Sequence, residues 1–172
     1  MKNIIIALTS LMVTTWSASH AADGPKPLKV LLILGGCCHD YAKQQFILSD
    51  GLAARINAEF VIEYSSITTT KPEFAIYKNA DWAKGYDVVI HDECAADIND
   101  ATTIDNIVNA HKNGVPAVNL HCAMHSYRSG DFKKPVSPSA AEAKWFDMLG
   151  LQSCSHGAQL PLSLIHISEP TR

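Results

Sequence analysis

The sequence lacks the features that mark several classes of protein. It has no run of basic residues and its formal net charge is −3, so we do not expect a nucleic-acid partner. It has no internal repeat or low-complexity segment. With 47% hydrophobic and 18% charged residues, it is not expected to be disordered. No apolar run reaches the ~20 residues that a membrane-spanning helix needs. The 172 residues therefore suit one globular domain.

The N-terminus has the pattern of a secretory signal peptide. Lys2 precedes a short apolar stretch over 4–13, and small residues follow over 19–21 (Ser-His-Ala). This pattern predicts a signal peptide over 1–21, cleaved after residue 21, and a polar linker over 22–27. We therefore expect a periplasmic or secreted protein with no membrane attachment after cleavage.

Cysteine usage does not resemble a disulfide framework. The chain has five cysteines, at positions 37, 38, 94, 122 and 154. An odd number leaves at least one free thiol even in an oxidising compartment. A bridge between the adjacent Cys37 and Cys38 would be strained.

The last eleven residues, 162–172, are interpreted as foreign to the domain. They can be encoded by a DNA string that resembles the transposon-derived adapter used in sequencing library preparation, read in one frame. They also interrupt what the pattern predicts as the beginning of a strand over 155–160. We therefore expect the domain sequence to stop near Pro161 and the domain to be C-terminally truncated.

Over residues 28–161, apolar runs alternate with segments of helical spacing. Strands are predicted over 28–34, 60–64, 86–91 and 115–120, and helices over 41–56, 100–113 and 139–149, with a short helix near 74–79. In the first helix, the apolar residues at helical spacing are Phe46, Ile47, Leu52 and Ile56, and Asp40 is the expected N-cap. The predicted strands are apolar throughout, so they suit a mainly parallel sheet with helices on both faces.

Polar and sulfur-bearing side chains follow the predicted strands. They lie over 35–40 (GGCCHD), 91–94 (HDEC) and 121–125 (HCAMH), with a late segment over 154–156 (CSH). In a parallel sheet, ligands bind beyond the carboxyl ends of the strands, so these segments predict a site at that edge. Each also has a plain structural interpretation, such as a helix cap, a solvated loop or an inert buried cysteine.

Within these segments, His121 and His39 are the candidate general acid and base, because imidazole titrates near neutral pH. Asp92 or Glu93 would orient or share the proton. The candidate substrate-binding residues are Gly36, Cys122, His125, His156 and Tyr127. No cofactor is firmly implied. A divalent metal can nevertheless be held by His121 and His125, four residues apart on one helix face, together with Cys122 and His39.

Several stretches of the sequence resemble the ThuA-like (trehalose-utilisation) family. They are LKVLLILGG leading to His39-Asp40-Tyr41, then YDVVIHDE, and then GVPAVNLHCAMHSYR followed by WFDMLGL and Ser155-His156-Gly157. The resemblance covers residues 28–161. It implies a flavodoxin-like three-layer α/β sandwich of the group that also contains class I glutamine amidotransferases. The Gly-x-Cys-x-Gly nucleophile turn of the amidotransferases is absent, so glutaminase activity is not expected.

The resemblance further implies a role in carbohydrate metabolism, associated with trehalose, related disaccharides and their 3-keto forms. Three functions follow from it and from the residues. The first is an enzyme that acts on a sugar or keto-disaccharide by histidine acid/base chemistry. The second is a sugar-binding module without catalysis, and the third is a His/Cys metal site. The expected partner is a small carbohydrate, and the oligomeric state is left open.

Overall fold

The computed structural model describes residues 24–153. The predicted signal peptide, Cys154, His156, the predicted strand over 155–160 and the tail over 162–172 lie outside the described residues. The described strands are β1 (Leu28–Gly36), β2 (Ala58–Ser65), β3 (Val88–Cys94) and β4 (Ala117–Asn119). The helices are α1 (Tyr41–Ala53), α2 (Ala101–Lys112) and α3 (Lys144–Leu149), and 3-10 turns cover Ala75–Lys78, His121–His125 and Ala141–Ala143.

The four strands form one parallel sheet in the order β2-β1-β3-β4. The chain moves outward from β1 to β2, then crosses back to β3 on the other side of β1 and continues to β4. This is the flavodoxin-like strand order, and the fold class predicted from the sequence is confirmed. The direction of winding reverses between β1 and β3, which is where such sheets bind ligands beyond the strand ends.

Helices cover both faces of the sheet, because alternate residues of each buried strand point to opposite sides. On one face, Val30, Leu32 and Leu34 of β1 pack in a core with Tyr41, Leu48 and Leu52 of α1. On the other face, Leu31 and Ile33 join a core built from the 3-10 turn over 75–78 and from α2 and α3. Consecutive residues of β3 are divided between these two cores in the same way. This division decides which polar side chains can meet.

Several boundaries differ from those predicted. β3 extends through Cys94, so the polar residues 91–94 belong to the strand itself. β4 has only three residues. α1 ends at Ala53, and Phe46 and Ile47 are 57% and 68% exposed because the helix buries only a narrow stripe against the sheet.

The final helix is also shorter than predicted. α3 begins at Lys144 rather than at Ser139, because Ser139 has a φ of 66° and residues 141–143 form a 3-10 turn. The predicted helix starts at Asp40 and Asp100 are confirmed. The Asp40 carboxylate accepts from Lys43 N at 3.2 Å, and the Asp100 carboxylate accepts from Thr103 N at 2.8 Å. Within residues 24–153, no helix is both long and apolar enough to cross a membrane.

Candidate functional site

Two histidines from distant parts of the chain meet over a buried cysteine. The rings of His39 and His121 lie edge to face with their centroids 4.7 Å apart. His39 Nε2 is 3.2 Å from Cys122 Sγ, and His121 Nδ1 is also 3.2 Å from that sulfur. Both histidines are exposed, whereas Cys122 is buried. We call His39 and His121 the histidine pair. It can exchange protons with a solvent-borne molecule.

The end of β1 directs His39 toward this point. Gly36, the last residue of β1, has a φ of 101°, and a Cβ there would overlap the backbone carbonyl of Cys94. The backbone N–H of Gly36 donates to the carbonyl of Ile67 at 3.1 Å. The structure therefore gives Gly36, a predicted substrate-binding residue, a packing function between β1 and the end of β3. The chain turns immediately afterwards, through Cys37 and Cys38, to His39.

The end of β4 directs His121. The backbone N–H of Leu120 donates to the carbonyl of His91 at 2.8 Å, which fixes the chain beside β3. His121 then adopts a φ of 41° and begins the 3-10 turn over 121–125. This turn exposes His121 and buries His125. The predicted helical face shared by His121 and His125 is therefore not formed.

Sulfur atoms gather behind the histidine pair. Cys37 and Cys38 form a disulfide, whereas Cys94 and Cys122 are free thiols. The turn after Gly36 allows the bridge between neighbours that the sequence disfavours, with Cys38 at a φ of 84°. Cys37 Sγ lies 3.4 Å from Cys94 Sγ. Burial raises the pKa of Cys122 to about 12, with a further contribution from the charge of Cys94.

Among the described residues, three groups of side chains could hold a metal ion, each with its ligand atoms within 4.8 Å of one another. They are His39, His121 and Cys122; Cys94, Cys122 and His125; and Cys37, Cys38 and Cys94. No group contains both His121 and His125, the pair predicted to chelate a metal. The 3-10 turn assigns each histidine to a different group.

Asp92 faces the same side of the sheet as Cys122. Its Oδ1 accepts from Gln44 Nε2 of α1 at 3.2 Å. Within residues 24–153, its buried Oδ2 has no hydrogen-bond partner. Burial, followed by the negative charge of Glu93, raises the pKa of Asp92 to about 7. A carboxyl group in this condition can hold a proton near neutral pH.

Glu93 lies on the opposite face of the sheet from Asp92. Its side chain is fully buried, and its Oε1 accepts from Tyr127 Oη at 2.6 Å and from Tyr77 Oη at 3.1 Å. His91 Nδ1 lies 2.8 Å from the same oxygen. Burial alone would raise the pKa of Glu93, but the charge and hydrogen bond of His91 and the hydrogen bond of Tyr127 outweigh it, so the pKa is lowered.

A second histidine, the half-buried His111, lies beside His91. His111 Nδ1 lies 2.8 Å from the carbonyl of Val115, to which it must donate. Burial, followed by the charge of His91, lowers the pKa of His111, so its ring is neutral and its Nε2 accepts. His91 contacts that nitrogen through its Nε2, at 2.9 Å, and Glu93 through its Nδ1. His91 therefore connects Glu93 to His111 within the buried network on this face.

The structure divides the predicted site residues into two sets. On the α1 side of the sheet it brings together His39, His121, Cys122 and Asp92. His125 lies near them, because its ring nitrogen is within 4.8 Å of the sulfur atoms of Cys94 and Cys122. It separates Glu93 and Tyr127 from them, in the ion-pair network on the other face.

The two-residue period of a strand already requires that Asp92 and Glu93 point to opposite faces. Cys37, Cys94 and Gln44 were not predicted as site residues, and the same period would have placed Cys94 beside Asp92.

Comparisons of the chain with family models, curated proteins and solved structures gave no match. The functional argument therefore depends on the geometry of the histidine pair and its neighbours.

Proposed function

We propose that the chain is an exported ThuA-like protein that acts on a sugar or keto-disaccharide by acid/base chemistry. The observation that carries the proposal is the histidine pair. Two exposed imidazoles, with ring centroids 4.7 Å apart, lie at the carboxyl edge of the parallel sheet. They are beside the point, between β1 and β3, where the direction of winding of the chain reverses. Two adjacent imidazoles can remove a proton from one atom of a substrate and deliver a proton to another.

The surroundings of the pair support this chemistry. Cys122 Sγ lies 3.2 Å from a ring nitrogen of each histidine, which restricts the orientation of both rings. Asp92 lies behind Cys122. Burial is the main cause of the raised pKa of that thiol, and the charge of Cys94 and then that of Asp92 add to it. We assign His39 and His121 as catalytic residues and Asp92 as a positioning residue. Sugar hydroxyls and keto groups provide the exchangeable protons that such a pair would move.

The experiment is turnover of 3-keto-disaccharides by the full chain. His121→Ala and His39→Ala should each lower kcat/KM by about 10²–10⁴-fold, which is the usual contribution of a positioned acid or base. Gln45→Ala is the matched control. Gln45 is a partly exposed α1 residue whose amide bonds the carbonyl of Ala42 in its own helix. Turnover that survives both histidine substitutions at the wild-type rate would reject the assignment.

A second reading of the same residues is a metal site. The nitrogen atoms of His39 and His121 and the sulfur of Cys122 lie within 4.8 Å of one another, and two imidazoles with one thiol suit a divalent zinc-like ion. Metal content of the purified chain tests this reading. Stoichiometric metal that is lost in His39→Ala would favour the metal site. Sugar binding measured by calorimetry, without turnover, would instead favour a binding module.

A further inference from the structure

A separate set of ligands lies deeper than the histidine pair. Cys94 Sγ, Cys122 Sγ and a ring nitrogen of His125 are within 4.8 Å of one another, and all three residues are buried. Cys94 ends β3, whereas Cys122 and His125 belong to the 3-10 turn that follows β4. The parallel pairing of β3 with β4 therefore brings the three ligands together. Two thiols and one imidazole form a donor set typical of zinc and of softer metals.

A further sulfur stands beside this set, held in a disulfide. Cys37 Sγ is 3.4 Å from Cys94 Sγ. Two thiolates on one tetrahedral Zn²⁺ lie about 3.8 Å apart, given Zn–S bonds of about 2.3 Å. While Cys37 is bonded to Cys38, its sulfur carries no thiolate charge with which to bind zinc. Cys38 is exposed and Cys37 is half-buried, so a reductant in solution can reach the bond.

We propose that Cys37, Cys94, Cys122 and His125 form a zinc site that is completed when the Cys37–Cys38 disulfide is reduced. A dithiol reductant supplies the two electrons and two protons. It leaves as a cyclic disulfide, and Cys37 and Cys38 become thiols. Zn²⁺ then displaces one proton from each of the three cysteine ligands and takes the imidazole of His125 as the fourth ligand.

This site is distinct from the site under the proposed function. The two share only Cys122, and the histidine pair contributes no ligand to the deeper one. The Cys37–Cys38 disulfide controls whether Cys37 can bind zinc. In the oxidised chain Cys94, Cys122 and His125 lie together, whereas Cys37 is grouped with Cys38 and Cys94. Reduction frees the Cys37 side chain to turn from Cys38 toward Cys122 and His125, and it then supplies the fourth ligand, the number that closed zinc sites use. The proposal does not depend on whether the chain acts on a carbohydrate.

The test measures Zn²⁺ affinity of the full chain under anaerobic conditions, in competition with a chromophoric chelator. One sample is reduced with a dithiol that is then removed, and the other is left oxidised. We expect the reduced chain to bind one Zn²⁺ with an affinity at least about tenfold above that of the oxidised chain. Equal affinities in the two samples would overturn the proposal.

Variants of Cys37 and Cys38 distinguish the role of the disulfide from the role of the fourth ligand. Cys38→Ser leaves Cys37 without its bridge, so this variant should show the high affinity without any reductant. Cys37→Ser removes the fourth ligand and should keep the low affinity in both conditions. Retention of the high affinity in reduced Cys37→Ser, or a need for reductant in Cys38→Ser, would contradict the assignment.

A double variant of the histidine pair tells the two metal sites apart. His39→Ala combined with His121→Ala removes two of the three ligands of the outer group but none of the deeper set. We expect the reduced double variant to bind Zn²⁺ as tightly as the reduced wild type. Loss of binding in the double variant would assign the metal to the outer group and reject the deeper site.

Discussion

Tyr127 offers the sharpest test of how the sheet divides the polar residues. Its hydroxyl donates to Glu93 Oε1 at 2.6 Å, and the two residues are 2% and 0% exposed. Tyr127→Phe removes this donor and keeps the ring, which packs against Trp145 with centroids 4.8 Å apart. The substitution therefore isolates one hydrogen bond to a buried carboxylate.

The size of the effect follows from what remains around Glu93. A hydrogen bond to a charged group contributes about 1.5–3 kcal/mol. The carboxylate would keep Tyr77 Oη at 3.1 Å and His91 Nδ1 at 2.8 Å, so it would not be left without partners. We therefore expect Tyr127→Phe to lower the free energy of unfolding by about 2 kcal/mol. At about 4 °C per kcal/mol for a domain of this size, the Tm should fall by about 8 °C.

Urea unfolding followed by circular dichroism measures this change. The matched control is Tyr64→Phe, on the edge strand β2, where the side chain is 40% exposed and the expected change is within about 0.5 kcal/mol. A loss for Tyr127→Phe no larger than that of the control would refute the account of the buried ion pair. Loss of carbohydrate binding without loss of stability would instead support Tyr127 as a substrate-binding residue, as the sequence predicts.

Two further predictions concern the strand ends. Gly36→Ala should lower the free energy of unfolding by at least about 2 kcal/mol more than Gly85→Ala, measured by urea unfolding. Both glycines have positive φ, but only at Gly36 does a Cβ meet backbone atoms, those of Cys94, so equal losses would contradict the packing argument. Asp92→Asn should stabilise the chain by about 2–4 kcal/mol at pH 8, because the raised pKa of Asp92, about 7 when folded, makes ionisation oppose folding. The Asp92 carboxyl contributes most to stability below its unfolded pKa, and that contribution is lost as the pH rises to about 7. The stability gained by Asp92→Asn should therefore vanish near pH 4. A gain in stability that does not depend on pH would exclude this cause.

Much of the fold could be predicted from local patterns. The apolar run at β1, the Asp40 cap, the helix start at Asp100 and the helical spacing of α2 depend on residues a few positions apart, and the structure has all of them. The boundaries were less predictable. The polar residues 91–94 (HDEC) are typical of the end of a strand. β3 nevertheless continues through them, because both faces of the strand are covered and these side chains are buried.

The sequence by itself determined that His39, Asp92, His121 and Cys122 would lie at one edge of a parallel sheet, because each follows or ends a strand. Tertiary structure alone decided which of these side chains meet. His39 and Cys122 are 83 positions apart, and Cys37 and Cys94 are 57 apart. Contacts of this kind depend on the strand order and register, and these are set by packing across the whole domain. The periodicity of a single segment does not encode them.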